Sequence, residues 1–327
     1  MSVSEAKTAI LFPGQGLPLD PESFRSFYDN DTAVRELVDA VDFCFDDGTK
    51  LRSLCLEGGE QLADTRYAQA SLFLASMAMS LALDNVGIQV DAVAGLSLGE
   101  YAALCYAGSF DVQPGIALMA ERGKIMADAI PSDSGMASIY GLSSEEVDDM
   151  CKQARQYGSC GVATYSTDNR LVVTGNNSAI DCVLQQCSQL STQKERVQAV
   201  RLGTSRAFHS DLAKPAAEQF ESVIQDQEFV FEPPKLPVYF NVDGRPDHTD
   251  IATVEVEQFY RSVQLQKTIE HMCKDGIQRF IAIGPGVSLA AYARENAKAI
   301  GLRVETLVLE KYDDLATIMQ KVSSGRA

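Results

Sequence analysis

Among the side chains suited to covalent chemistry, one serine stands in a telling context. Ser97 lies in Gly95-Leu96-Ser97-Leu98-Gly99. Before it, Val90, Ala92 and Val93 read as the end of a strand; after it, the small-residue run from Glu100 to Ala107, closed by Gly108, reads as a helix. Strand, tight turn, serine and helix predict a bend that lifts the Ser97 hydroxyl clear of a sheet. Gly95 and Gly99 fit because a Cβ at either place would meet the neighbouring strand and helix. The helix N-terminus beneath Ser97 then offers free N–H groups to a developing oxyanion. An ordinary surface turn that matches the five-residue pattern by chance is the competing reading.

A serine nucleophile needs a base, and imidazole titrates nearest neutral pH. The sequence holds three histidines, His209, His248 and His271. His248 follows Gly244-Arg245-Pro246-Asp247, which reads as an exposed loop, and His271 sits beside Glu270 on a helix. His209, between Phe208 and Ser210, is the remaining candidate, although a structural histidine competes with that role. The eight cysteines show no C-x-x-C and no Cys/His spacing suited to zinc, so reduced thiols of a cytoplasmic protein are expected.

The elements that must position these groups fit in 327 residues, enough for two structural units. Hydrophobic residues make up 46% and charged residues 22%, a globular balance, and no apolar run is long enough to span a bilayer. A net charge of −17 argues against nucleic acid or an anionic membrane as partner. It also means that an acidic partner would need a local basic patch. Nothing in the sequence requires more than a monomer.

Strands are expected at Thr8–Phe12, at Val238–Asn241, at Arg279–Ile283 and at Leu302–Leu307. Helices are expected at Ala68–Val86, Asp111–Ala129 and Ala213–Gln227, with a broken helix over Val256–Gly276. Between Gly135 and Gly203 the rhythm changes to strand, capped helix, hairpin across Thr167-Asp168-Asn169, helix and strand. That βαββαβ order predicts a small ferredoxin-like unit at 135–203. The fold class is therefore α/β: a large α/β-hydrolase-like unit with a parallel sheet, formed by 1–134 and 204–327, carrying this insertion.

Six motifs now fall in one order: Phe12-Pro13-Gly14-Gln15-Gly16, Gly95-Leu96-Ser97-Leu98-Gly99-Glu100-Tyr101, Glu121-Arg122-Gly123, Ala207-Phe208-His209-Ser210, Ser262-Val263-Gln264 and Gly284-Pro285-Gly286. With them the chain, from Phe12 to about Ala290, resembles the malonyl-CoA:acyl-carrier-protein transacylases, the acyltransferases of fatty acid and polyketide synthesis. The resemblance implies that Ser97 attacks malonyl-CoA and that His209 is its base. It implies an oxyanion hole from the backbone N–H groups of Gln15 and Leu98, and a two-pronged salt bridge from Arg122 to the malonyl carboxylate. Gln264 is expected to steady His209 through its carbonyl, and Phe208 to narrow the pocket against an α-methyl branch. The acceptor would be the phosphopantetheine thiol of an acyl carrier protein, and no bound cofactor or metal is needed.

The chain departs from the family pattern at Leu96, where histidine is common, and at Arg206, where glycine is frequent. Arg206 is expected near the cleft mouth, facing a pantetheine or carrier phosphate. An acyl-thioester hydrolase, an acyltransferase for another acyl-CoA of a polyketide pathway and a non-catalytic carrier-docking module are the alternatives. The serine, histidine and arginine set disfavours the docking module, since docking requires none of those types.

Overall fold

The computed structural model describes residues 6–16, 18–192, 196–203, 206–284 and 287–324. Its strands are β1 (Lys7–Phe12), β2 (Ala92–Gly95), β3 (Ser134–Tyr140), β4 (Cys160–Thr167), β5 (Arg170–Asn176), β6 (Gln198–Arg201), β7 (Val238–Tyr239), β8 (Ile277–Ile283) and β9 (Glu305–Leu309). The first helices are α1 (Pro21–Asn30), α2 (Thr32–Asp39), α3 (Leu51–Glu57), α4 (Thr65–Asn85), α5 (Leu98–Tyr106) and α6 (Val112–Ala129). Then come α7 (Ser144–Ala154), α8 (Asn177–Ser191), α9 (Lys214–Asp226), α10 (Ile251–Gln258), α11 (Leu265–Lys274), α12 (Val287–Ala299) and α13 (Asp314–Ser324).

Five strands form a parallel sheet in the order β7-β2-β1-β8-β9. Strands β1 and β2 are buried almost throughout, as continuous apolar runs must be when both faces of a parallel sheet are covered. The chain builds β2 and β7 on one side of β1 before crossing to β8 and β9 on the other. The carboxyl ends of β1 and β2 therefore open onto a switch point, where ligands of such sheets bind. Both the Pro13–Gly16 turn and Ser97 lie there.

The second sheet is antiparallel, ordered β4-β5-β3-β6. With α7 and α8 sharing its apolar core, this is the ferredoxin-like arrangement that the βαββαβ order predicts. Helix α7 starts on the capping box expected at Ser143, with Glu146 reaching back to the Ser143 N–H.

Most boundaries shift by a few residues from the sequence reading, and three shifts have a visible cause. Strand β2 starts at Ala92 rather than Val90, because the preceding Asp91 pairs with Thr8 through backbone and carboxylate instead of joining a ladder. Helix α10 begins at Ile251, five residues before the expected Val256, because Asp250 caps its Thr253 N–H. The last strand runs over Glu305–Leu309, set by its register against β8, and α13 follows it unanticipated.

Candidate active site

Ser97 occupies the bend between β2 and α5 with φ 53° and ψ −109°, a left-handed backbone that L-residues rarely adopt. The two glycines around it are dictated by contact. A Cβ on Gly95 would lie 1.9 Å from the Gly99 carbonyl carbon, and one on Gly99 would lie 2.3 Å from the Phe12 carbonyl oxygen. Strand, bend and helix therefore pass closer together than any side chain permits. Instead of capping α5, the Ser97 hydroxyl turns to His209, leaving the Leu98 N–H at the open first turn of the helix.

Ser97 Oγ and His209 Nε2 are 2.7 Å apart, and His209 Nδ1 is 2.8 Å from the Gln258 carbonyl oxygen. A carbonyl only accepts, so Nδ1 carries the proton and Nε2 presents its lone pair to the hydroxyl. That is the tautomer a general base requires. His209 is held from both units. Its N–H donates to Phe259 O, while the preceding Phe208 carbonyl accepts from Thr174 on β5.

The histidine-steadying carbonyl is a correction to the sequence reading: it belongs to Gln258, at the end of α10, and not to Gln264. Gln264 caps α11, and its carbonyl is occupied by the N–H and the hydroxyl of Thr268. The Ser262-Val263-Gln264 segment serves another purpose, pairing with β4 through Val263 N–H to Ala163 O and Tyr165 N–H to Val263 O.

Arg122 projects from α6 and is 1% exposed. Nη1 donates to Gln69 Oε1 at 2.6 Å and Nη2 to Gln258 Oε1 at 2.8 Å, while Nε has no partner. Its guanidinium lies 4.9 Å from the ring centres of both Tyr101 and Phe259. Neutral amides steer this cation without neutralising it, so it retains attraction for an incoming anion. Gln258 thus orients the base through its backbone and the cation through its side chain.

A line of hydrogen bonds continues from Arg122 to the glycine-rich turn. Gln69 Nε2 donates to Thr65 Oγ1, which donates to Gln15 Oε1. On the other side, Asn241 Oδ1 accepts the Ser97 N–H at 2.6 Å, and its amide donates to Gly95 O and to Glu100. The Gln15 turn reaches the bend because Gly14 lacks a side chain, whose Cβ would lie 2.6 Å from Leu96 O. Pro285 and Gly286 lie outside the described residues.

Phe208 is buried in the main core beside His209, and Arg206 donates Nε–H to Ala127 O at the end of α6. The other two histidines do not enter the site. His248 lies against Asp243 and is half-buried rather than exposed, and His271 bonds to Gly244 O. Sequence reasoning missed Gln69, Asn241, Glu255 and Gln258. A glutamine inside the otherwise apolar α4 was a readable signal for Gln69, whereas nothing local marked the others.

Residues 12–319 match the family model described as acyl transferase domain. The chain belongs to that family. It is 30% identical over 320 residues to the malonyl CoA-acyl carrier protein transacylase of Bacillus subtilis, covering 96% of this chain and 97% of that one. Among solved structures, the malonyl CoA-acyl carrier protein transacylase of Coxiella burnetii superposes with a TM-score of 0.87 at 25% identity, over 97% of this chain and 98% of that one. A malonyl-transacylase solved in complex with a type II PKS acyl-carrier protein gives 0.83 at 26% identity, over 97% and 100%.

In this acyltransferase, burial first and the Arg122 charge second push His209 down to about 4, against the opposing pull of the Gln258 carbonyl. The free base is the neutral form, so it is present above that value and lost below it. The acid limb of kcat/KM is therefore expected near pH 4 instead of near the ordinary imidazole value of about 6.5. A pH–rate profile with its acid limb at the ordinary value would contradict this.

Proposed function

We propose that the chain transfers a malonyl group from malonyl-CoA to the phosphopantetheine thiol of an acyl carrier protein through an ester on Ser97. One observation carries the reading: the Ser97–His209 pair and the buried Arg122 cation, hydrogen-bonded only to neutral amides, meet on the same residue, Gln258. A nucleophile and a carboxylate-binding cation held on one mount suit an acyl group that ends in a carboxylate.

Arg122 binds the malonyl carboxylate, and the N–H groups of Gln15 and Leu98 face the thioester oxygen. Ser97 Oγ attacks the carbonyl carbon while its proton passes to His209 Nε2. The tetrahedral oxyanion collapses, the C–S bond breaks, and the CoA thiolate takes the proton from the imidazolium and leaves. The carrier thiol then gives its proton to His209 and attacks the ester. Ser97 departs with that proton restored, so the enzyme ends as it began. Phe208, next in chain to the base, limits the room beside the malonyl α-carbon.

Names of the relatives and the carrier-protein complex of one structural neighbour support a carrier as acceptor over water. The eight free thiols fit a reducing compartment such as the cytoplasm. Among the described residues no helix is long and apolar enough to cross a membrane.

Intact-mass measurement after exposure to malonyl-CoA tests the reading. Wild type is expected to gain one malonyl group and lose it on adding carrier protein, while Ser97→Ala gains none. An unmodified wild type, or an equally modified Ser97→Ala, rules it out.

A further inference from the structure

Beneath the Ser97–His209 pair lie two carboxyl groups that the transfer steps do not use. Glu100 on α5 and Glu255 on α10 are both 0% exposed, and both approach the Gln258 amide nitrogen, Glu100 at 2.7 Å and Glu255 at 3.4 Å. Their other partners are unequal. Glu100 accepts from the backbone N–H and the amide of Asn241, and from Gln258 Nε2 at 2.7 Å. Glu255 has a distant contact with Gln258 Nε2, at 3.4 Å, the Tyr101 hydroxyl lies near it, 3.4 Å from its backbone carbonyl, and its Oε1 has no partner.

Two adjoining carboxylates deprived of water cannot both ionise readily. Burial holds both acids above the ordinary carboxylate range. Three N–H donors favour the anion at Glu100, so of the two acids Glu255 is the one that keeps its proton. The charged and titratable groups facing this pair are Arg122 from α6 and Tyr101 from α5. Helix α9 adds only the ring of Phe220, against Tyr101, and His209 stands beyond Gln258.

We propose that Glu255 is a specificity-determining positioning residue: by keeping its proton it leaves Arg122 facing one buried negative charge instead of two, and so free to take a substrate carboxylate. The inference rests on the reading of Arg122 as the malonyl carboxylate site. Loss of the proton puts a second anion beside Arg122. That anion competes for the guanidinium and repels the incoming carboxylate, whereas an acyl group without a carboxylate is indifferent to it. Malonyl binding is therefore coupled to the proton on Glu255.

The test compares KM for malonyl-CoA and acetyl-CoA between pH 7 and pH 10 in the full chain and in Glu255→Gln, which keeps the shape but cannot ionise. Wild-type KM for malonyl-CoA is expected to rise by up to about tenfold per pH unit once the pair is fully ionised, while KM for acetyl-CoA stays level. In Glu255→Gln the malonyl rise disappears. Should that variant not fold, calorimetry of malonyl-CoA binding to Ser97→Ala at pH 9, in two buffers of different ionisation enthalpy, is expected to show proton uptake. A rise that persists in Glu255→Gln, a flat wild-type profile, or no proton uptake overturns the inference while the malonyl-enzyme remains. Absence of a malonyl-enzyme at every pH overturns the carboxylate reading itself and the inference with it.

Discussion

Alanine in place of His209 is expected to lower kcat/KM for malonyl transfer by about 10³-fold. The expectation follows from the proton balance at Ser97. An alkoxide does not form at neutral pH unless its proton has a destination, and Nε2 at 2.7 Å is the acceptor in place. In the proposed mechanism the same ring later protonates the departing CoA thiolate, so both halves of the reaction should suffer. Binding is affected far less, because Arg122 is fixed by Gln69 and by the Gln258 side chain, neither of which needs the imidazole. The loss should therefore fall on kcat, with KM for malonyl-CoA little changed. Steady-state rates with saturating carrier protein measure it, and a loss below about tenfold would remove His209 from the chemistry.

Arg122→Ala is the second large effect, and it is selective. Removing one partner of a buried charge pair costs about 2–5 kcal/mol. Malonyl transfer should accordingly fall by about 30-fold to about 4,000-fold, since every 1.4 kcal/mol is about tenfold. Acetyl-CoA brings no carboxylate, so its transfer should lose only what the disturbed Gln258 costs through His209. Lysine should not rescue malonyl transfer, because an ammonium cannot bond two amide oxygens and a carboxylate in one plane. Removing the cation also takes away the repulsion that helps hold His209 low, so the acid limb should move upward. Equal losses on malonyl-CoA and acetyl-CoA would refute the carboxylate role.

Both predictions pass through Gln258, which identifies the shared support as the vulnerable point. Its backbone carbonyl fixes the imidazole tautomer and its side chain joins Arg122 to Glu100. Segment 259–264, immediately after it, is tied to β4 of the small sheet by Val263 and by the Ser262 hydroxyl on Val162 O. The small sheet thus braces the loop that holds the base.

The Ser97 bend was legible from sequence because everything that shapes it is local. A strand, a left-handed bend between two glycines, and a helix occupy one continuous stretch, and those local preferences agree with the global fold. The βαββαβ order was legible for the same reason, since alternating apolar patterns and a capping box are written into neighbouring residues. His209 came from scarcity: with three histidines in the chain, few alternatives remained.

The steadying carbonyl was not legible, because every residue has a carbonyl. Whether that of Gln258 or Gln264 faces the imidazole depends on the path of the chain between them, which pairing with β4 sets from about a hundred residues away. Gln69, Asn241 and Glu255 were hidden likewise: their roles lie in whom they meet, and those partners come from α6, from the Ser97 bend and from α5. The sequence by itself determined the bend that carries Ser97 and the kinds of elements around it, since backbone conformation is a local matter. Only the tertiary structure decided which amides and acids support the base and the cation, because burial and hydrogen-bond partners are set by packing between distant segments.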